Sequence, residues 1–308
     1  MAGLEIALRK PYSVEWVLAH IRASSYGVPY TDCGGDRLRR VVEVVGETGL
    51  VEFGFHAGDG GIGHLDVRVL DGDLEHRSER LEELARFIFG VDDDLSTCYR
   101  VLNRDARMKT LVARYRGLRL VKAPSLYEAL LITVLGQQVS VYSAQSVRRR
   151  LMEHLSLAVD HAGTTYRGIP DAERLAESSA EALRDLGVSR QKARYLVEIA
   201  RREAEGELQR EAVAGLPDAE AMDVLQEIPG VGRWTAEIVL MRGDGRMDLF
   251  SAGDLGLQVA AQKAFGLTER PTEEQLREMA EAWSGWRSYA AFYLWMTLME
   301  AGQSSIVN

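Results

Sequence analysis

Leu225-Gln-Glu-Ile-Pro-Gly-Val-Gly-Arg-Trp-Thr-Ala-Glu-Ile-Val-Leu240 joins two helical patterns through a bare glycine turn. Ahead of the turn, Ala221, Val224, Leu225 and Ile228 recur at the spacing of one apolar helix face, and Pro217-Asp218 supplies a start signal. Pro229 and Gly230 stop that helix, and Gly232 adds a second residue free to take positive φ. A helical pattern resumes from Arg233 to Met241 through Trp234, Ile238 and Val239. The first amides of the second helix lack intrahelical acceptors and lie at the positive end of its dipole, which suits a phosphate. The same pattern also fits an ordinary helix-turn-helix corner, because a lone Gly-X-Gly is a weak signal.

The chain has 308 residues, 46% of them hydrophobic, enough for substantial cores and about two domains by length. No apolar run of about 18 residues is present, and Met1-Ala-Gly-Leu-Glu5 does not read as a signal peptide, so a soluble intracellular protein is expected. The only cysteines, Cys33 and Cys98, lie far apart, which leaves no disulfide framework and no four-cysteine iron–sulfur cluster. Six histidines form no His-x-x-x-His pair, so no metal site is expected from side chains. A net charge of -9 argues against coating nucleic acid by bulk electrostatics and permits a local grip. Arg148-Arg-Arg150, Arg190-Gln-Lys-Ala-Arg194 and Arg201-Arg202 are either solvated helix faces or, with backbone amides, a phosphate track.

Val51, Phe53 and Phe55 alternate with other residues, as do Leu65, Val67 and Val69, which predicts two strands joined by a hairpin at 58–63. Helices are expected near Ser13–Ser24 and Arg80–Phe89, making residues 1–88 a small α+β domain. Beyond Gly90 helical patterns take over, including Tyr127, Leu130, Leu131 and Val134, then Ala182, Leu183 and Leu186, then Tyr195, Leu196, Ile199 and Ala200. The remainder reads as a helical bundle in two lobes. Leu186 to Arg194 loosely echoes the later hairpin.

Together these segments resemble the helix-hairpin-helix (HhH-GPD) DNA glycosylases, in particular the 3-methyladenine DNA glycosylase II branch. The resemblance rests on Pro11-Tyr12 with Trp16, Leu135-Gly-Gln-Gln-Val-Ser140, Leu186 to Arg194, Leu225 to Ala236, Asp248-Leu-Phe-Ser-Ala-Gly-Asp254 and Trp283-Ser-Gly-Trp-Arg-Ser-Tyr-Ala290. It implies an α+β fold class in three parts: a TBP-like antiparallel-sheet domain over 1–88, a helical lobe over 123–243 holding the hairpin, and a lobe of 89–122 plus 244–308. Its implied activity is base excision from double-stranded DNA containing damaged bases, with alkylated purines such as 3-methyladenine and 7-methylguanine expected first.

Asp254, 24 residues beyond Gly230, matches the family's catalytic Asp. An Asp before a helix is also a common N-cap, and the two roles are compatible. Trp234 stands where strand-cutting relatives carry a Schiff-base lysine; none of the five lysines lies in the hairpin or beside Asp254 in sequence, so a monofunctional hydrolase is expected. As a pocket aromatic Trp234 would also attract a cationic base, although a Trp at helical spacing is often core. The resemblance places Gln138 as the residue that wedges into the duplex, Gln137 beside it as either a DNA contact or a buried residue bonded to backbone, and Gly230, Val231, Gly232, Arg233 and Thr235 on the DNA. It places Trp295 and Arg287 in the base pocket, with core packing and an internal salt bridge as their respective alternatives. Ile238 replaces an aromatic found in some relatives, and Ala252-Gly253 replaces bulkier residues, so an aromatic wall would come from Tyr142 or Phe292. No cofactor is required; a monovalent cation on hairpin carbonyls is a family feature. A cytoplasmic, nucleoid-associated monomer is expected. Other readings kept open are a glycosylase for hypoxanthine, 1-methyladenine, oxidised or mismatched bases, and a DNA-binding module without chemistry.

Overall fold

The computed structural model describes residues 3–24, 31–32, 34–56 and 63–300. Cys33 and most of the 58–63 connection lie outside them. A five-stranded antiparallel sheet opens the chain: β1 Leu4–Ala7, β2 Thr31–Asp32, β3 Arg37–Val44, β4 Glu47–His56 and β5 His64–Asp71, in the order β1-β5-β4-β3-β2. Helices α1 Val14–Ala23 and α2 Ser78–Ile88 belong to the same part. The alternating residues Phe53 and Phe55 of β4, with Leu65 and Val67 of β5, meet Val17, Leu18, Ile21, Leu81, Ala85 and Ile88 in one core cluster. This core extends past Gly90 to Val91 and Val121.

The remaining helices are α3 Leu95–Leu102, α4 Ala106–Arg114, α5 Leu126–Gly136, α6 Val141–Leu155, α7 Ala172–Ala176, α8 Ala180–Asp185, α9 Arg190–Ala204, α10 Asp218–Gln226, α11 Arg233–Val239, α12 Leu255–Phe265, α13 Glu273–Ala280 and α14 Arg287–Glu300. They gather around two further cores, one from α5 to α11 and one from α3, α4 and α12 to α14. Helix α11 serves both. Its Ala236 and Val239, with Leu240 just beyond its end, join the core of α5, while its Ile238, with Met241 of the following turn, joins the core of α12 and α14. That shared position brings a residue of the hairpin helix to the loop before α12.

Two expectations need correction. The helical part contains a hairpin, β6 Ser156–His161 with β7 Thr164–Pro170, turned by Ala162 and Gly163 at φ 48° and 78°. It covers the outer face of the first sheet, where Tyr166 packs with Val41 and Leu50 and its hydroxyl accepts from Arg39 at 2.8 Å. The histidines also gather: His56 and His64 are cross-strand partners with rings stacked at 4.5 Å, and His56 Nε2 lies 3.2 Å from Asp66. Arg68 lies 2.9 Å from the same Asp66 oxygen and gives the carboxylate a cationic partner. Cys98 is a core residue whose thiol is held protonated by burial.

One half-buried acid is expected to make the fold pH-sensitive. Glu203 on α9 has a carboxylate oxygen without a hydrogen-bond partner, and burial, with Glu43 opposite, pushes its pKa from 4.5 up to about 7. The folded chain thus binds this proton more tightly than the unfolded chain, and stability falls as pH rises from about 4.5 to 7. Glu203→Gln is expected to add about 1–2 kcal/mol at pH 8, a figure discounted for partial exposure, and progressively less toward pH 4. Urea unfolding of both chains across that range checks the sign; a benefit that is constant with pH contradicts it.

Candidate active site

Asp254 is the N-cap of α12. The break is local: Asp254 N–H donates to Ser251 O at 2.8 Å, and its extended backbone turns the chain into the helix. Oδ1 accepts from the Leu257 amide at 2.6 Å, the expected capping bond. A cap needs only that oxygen, yet the carboxylate takes two more donors. Trp295 Nε1 on α14 donates to Oδ1 and Trp234 Nε1 on α11 donates to Oδ2, each at 3.0 Å. Both indoles are half-buried against the core of α12 to α14. Hydrogen bonds to an ionised acceptor are roughly twice as strong as neutral ones, so this carboxylate is fixed in position by three elements at once.

The orientation of Trp234 is therefore settled toward Asp254, through the ring's N–H edge. Ile238, one turn along the same face, is 8% exposed and belongs to the core. Phe292 is wholly buried and packs edge-on against His20, so it does not form the missing aromatic wall. Tyr142 stands at the other extreme, 82% exposed in the first turn of α6. Arg287 is not brought to the site. Its guanidinium meets Asp248 at 3.3 Å, Glu281 at 2.8 Å and Ala280 O, the internal-salt-bridge alternative. Asp248 also accepts from the Gly285 amide at 2.6 Å, so the Trp283–Ala290 segment clasps the start of the loop that leads to Asp254. A Cβ at Gly253 would lie 3.0 Å from Oε2 of the exposed Glu273 side chain, which would have to shift.

The hairpin forms as expected, with two refinements. Val224 is exposed, and Ala221, Leu225 and Ile228 carry the buried face. Gly230, at φ 88°, lies against the Tyr195 ring, so any side chain there collides with an aromatic face. Val231 is buried and its amide bonds Ile228 O at 3.0 Å. Exposed Gly232 and Arg233 open α11, where the amides of Arg233, Trp234 and Thr235 have no intrahelical acceptor. The Arg233 side chain shares Glu237 with Arg277, each at 3.1 Å. Burial raises the Glu237 carboxyl and the two guanidinium groups oppose that.

Thr235 is buried, and its hydroxyl accepts from Gln137 Nε2 at 2.9 Å. The same Gln137 nitrogen donates to Gly230 O at 3.0 Å, so this glutamine ties the end of α5 to the hairpin. These bonds occupy the Gln137 amide nitrogen and the Thr235 hydroxyl oxygen, while Gln137 itself is half-buried. Its neighbour Gln138 is exposed and left-handed, at φ 53°. Removing the Gln137 amide leaves two part-buried acceptors without their donor, and Gln137→Ala is expected to lose about 1–2 kcal/mol in urea unfolding. A change within experimental error would mean the tie is dispensable.

Several arginines of the basic runs are engaged within the protein, while Arg149, Arg190 and Arg194 are exposed. Arg148 is buried, Arg150 donates to Leu186 O at 2.7 Å, and Arg201 and Arg202 pair with Glu198 along α9. Sequence reasoning missed that both indole nitrogens converge on Asp254, because the partners lie 20 and 41 residues apart in no periodic relation. The Trp234–Asp254 spacing and the Trp295 position were on view, and only their meeting was not.

Residues 131–285 match the HhH-GPD superfamily of base excision DNA repair proteins, and residues 3–125 match the AlkA N-terminal domain. The chain is 34% identical over 220 residues to the DNA-3-methyladenine glycosylase of Bacillus subtilis, spanning 70% of this chain and 73% of that protein. It is 33% identical over 181 residues to DNA-3-methyladenine glycosylase 2 of Escherichia coli, spanning 59% and 61%. The solved 3-methyladenine DNA-glycosylase from Archaeoglobus fulgidus superposes with a TM-score of 0.83 at 25% identity, over 96% of this chain and 98% of that one. With an N-terminal antiparallel sheet, a helical core and a hairpin set beside a three-donor Asp, the chain belongs to the HhH-GPD superfamily of base excision DNA repair proteins.

Proposed function

We propose that the protein is a monofunctional DNA glycosylase that hydrolyses the N-glycosidic bond of alkylated purines turned out of duplex DNA. The observation that carries this reading is the carboxylate of Asp254 held by two indole N–H groups besides its helix cap. Breaking the bond between the base nitrogen and C1′ sends the electron pair out with the base and builds positive charge on the deoxyribose. A fixed carboxylate stabilises that cation and accepts the proton of the water that adds to C1′. The non-catalytic reading has one observation in its favour, the capping bond to Leu257, but a cap alone leaves the two tryptophan donors unexplained.

Alkylation at purine ring nitrogens gives the base a positive charge. The half-exposed rings of Trp234 and Trp295 offer π faces that attract such a cation by about 0.5–2 kcal/mol. Extruding the base costs a few kcal/mol, less where damage has weakened pairing. Gln138, exposed beside the hairpin, fills the vacated space and can hydrogen-bond the orphaned partner. The amides that open α11 receive a backbone phosphate. The carbonyls of Ile228 and Gly230 each accept one bond and keep a second lone pair, which fits a monovalent cation that would add counter-charge for that phosphate. Trp234 in place of lysine removes the amine that a Schiff base requires, so the product is an abasic site in an intact strand.

Duplexes carrying one alkylated, deaminated or oxidised base, incubated with the protein and then treated with alkali, test the proposal. Alkali-dependent cleavage at the alkylated purine is expected. Cleavage without alkali overturns the monofunctional reading, and activity confined to oxidised or deaminated bases overturns the substrate class.

A further inference from the structure

The segment from Leu186 to Arg194, which echoes the hairpin in sequence, has a use that the reaction above leaves open. It forms the turn between α8 and α9, with Gly187 at φ 92°. Arg150 of α6 anchors this turn through Leu186 O at 2.7 Å, and its guanidinium occupies the place of a Gly187 side chain. Lys192, in the first turn of α9, reaches out of that frame. Its Nζ donates to Leu135 O at 2.9 Å and Gln137 O at 2.5 Å. These carbonyls close α5, where helix C-termini carry unpaired acceptors and the negative end of the dipole. One turn further along α9, Tyr195 packs beneath Gly230. Helix α9 thus touches both the 137–138 loop and the hairpin, and Gln137 bonds the two to each other.

Gln138 is held between these supports in the left-handed region, at φ 53°. For a residue with a side chain that conformation costs about 1–3 kcal/mol and persists only where the surroundings over-determine it. Lys192 is half-buried, and desolvation lowers its pKa, consistent with an ammonium committed to two carbonyls. We propose that Lys192 is a positioning residue that locks Gln138 in its left-handed conformation and in register with the hairpin, and so governs how effectively the duplex is opened. The proposal rests on the reading of Gln138 as the duplex-filling residue. Lys192 touches no reacting atom in this account.

The test compares the full-length protein with Lys192→Met and Lys192→Arg, using a duplex with 2-aminopurine beside an alkylated purine. Binding raises 2-aminopurine fluorescence when the base stack opens, a readout independent of bond cleavage. In Lys192→Met that rise is expected to fall by at least about half, and the single-turnover rate on duplex by about tenfold or more. On the same lesion in a one-nucleotide bulge, where extrusion costs little, the rate is expected to drop by less than about threefold. Arginine can donate to both carbonyls, so Lys192→Arg is expected to recover the duplex rate to within about threefold. Should Lys192→Met fail to fold, Lys192→Gln carries the same expectations.

Equal losses on duplex and bulge, unchanged fluorescence, or an arginine variant as weak as methionine would each overturn the proposal. If the wild type releases no base yet its fluorescence rise depends on Lys192, the positioning stands and the glycosylase reading fails. If the wild type releases base and Lys192→Met behaves identically, the reverse holds.

Discussion

Asp254→Asn is expected to lower the single-turnover rate of base release by about a hundredfold or more, while changing stability by only about 1 kcal/mol. Asn caps helices as well as Asp, so Leu257 keeps an acceptor. The side chain now has one oxygen and one amino group, however, and the amino group must face one of the indole N–H donors. That mismatch explains the small stability cost. The large loss of rate comes from removing the negative charge that meets the cationic sugar. The substitution therefore separates the two roles that sequence alone leaves superimposed on this residue. Single-turnover kinetics paired with urea unfolding reads both, and a rate equal to wild type would reduce Asp254 to a cap.

Trp234→Phe is the second large effect. It keeps an aromatic ring and most of the packing on α11 but deletes the donor to Oδ2. A hydrogen bond to a charged group contributes about 1.5–3 kcal/mol, so a rate loss of about tenfold to a hundredfold is expected if the indole positions the carboxylate. A face that only attracts cationic bases predicts something different: a loss on 7-methylguanine and little change on neutral hypoxanthine. The position of the N–H edge favours equal losses on both. In an Asp254→Asn background, removing the indole should cost little more, because the two residues act as a unit.

How much of this was readable beforehand depends on whether the signal was local. The hairpin was legible because Pro229 and Gly230 interrupt helical periodicity and must do so on either side of a turn. Asp254 was legible because it precedes a helix in a motif of fixed order. Helix α5 was legible from Tyr127, Leu130, Leu131 and Val134, but not its burial on all sides, for every residue from Leu126 to Leu135 is buried. The β6–β7 hairpin escaped because Ala162-Gly163 adopts a turn that usually announces itself as Asn-Gly. Val45-Gly46 hides the β3–β4 turn in the same way, with Val45 at φ 53°. Charge runs were the weakest guide: Arg148 and Arg150 point to carbonyls inside the protein, and nothing in a string of arginines reveals whether the partner is a phosphate or a peptide.

The convergence of Trp234, Trp295 and the α12 cap on a single carboxylate could not be read at all without the fold, and the account depends on it. Chromatography of the bases released from methylated duplex DNA, in single turnover, tests it most directly. Wild type is predicted to liberate free methylated purines and leave strands that break only on alkali treatment, with Asp254→Asn slower by about a hundredfold or more. No free base from wild type, or full-rate release by Asp254→Asn, would contradict it.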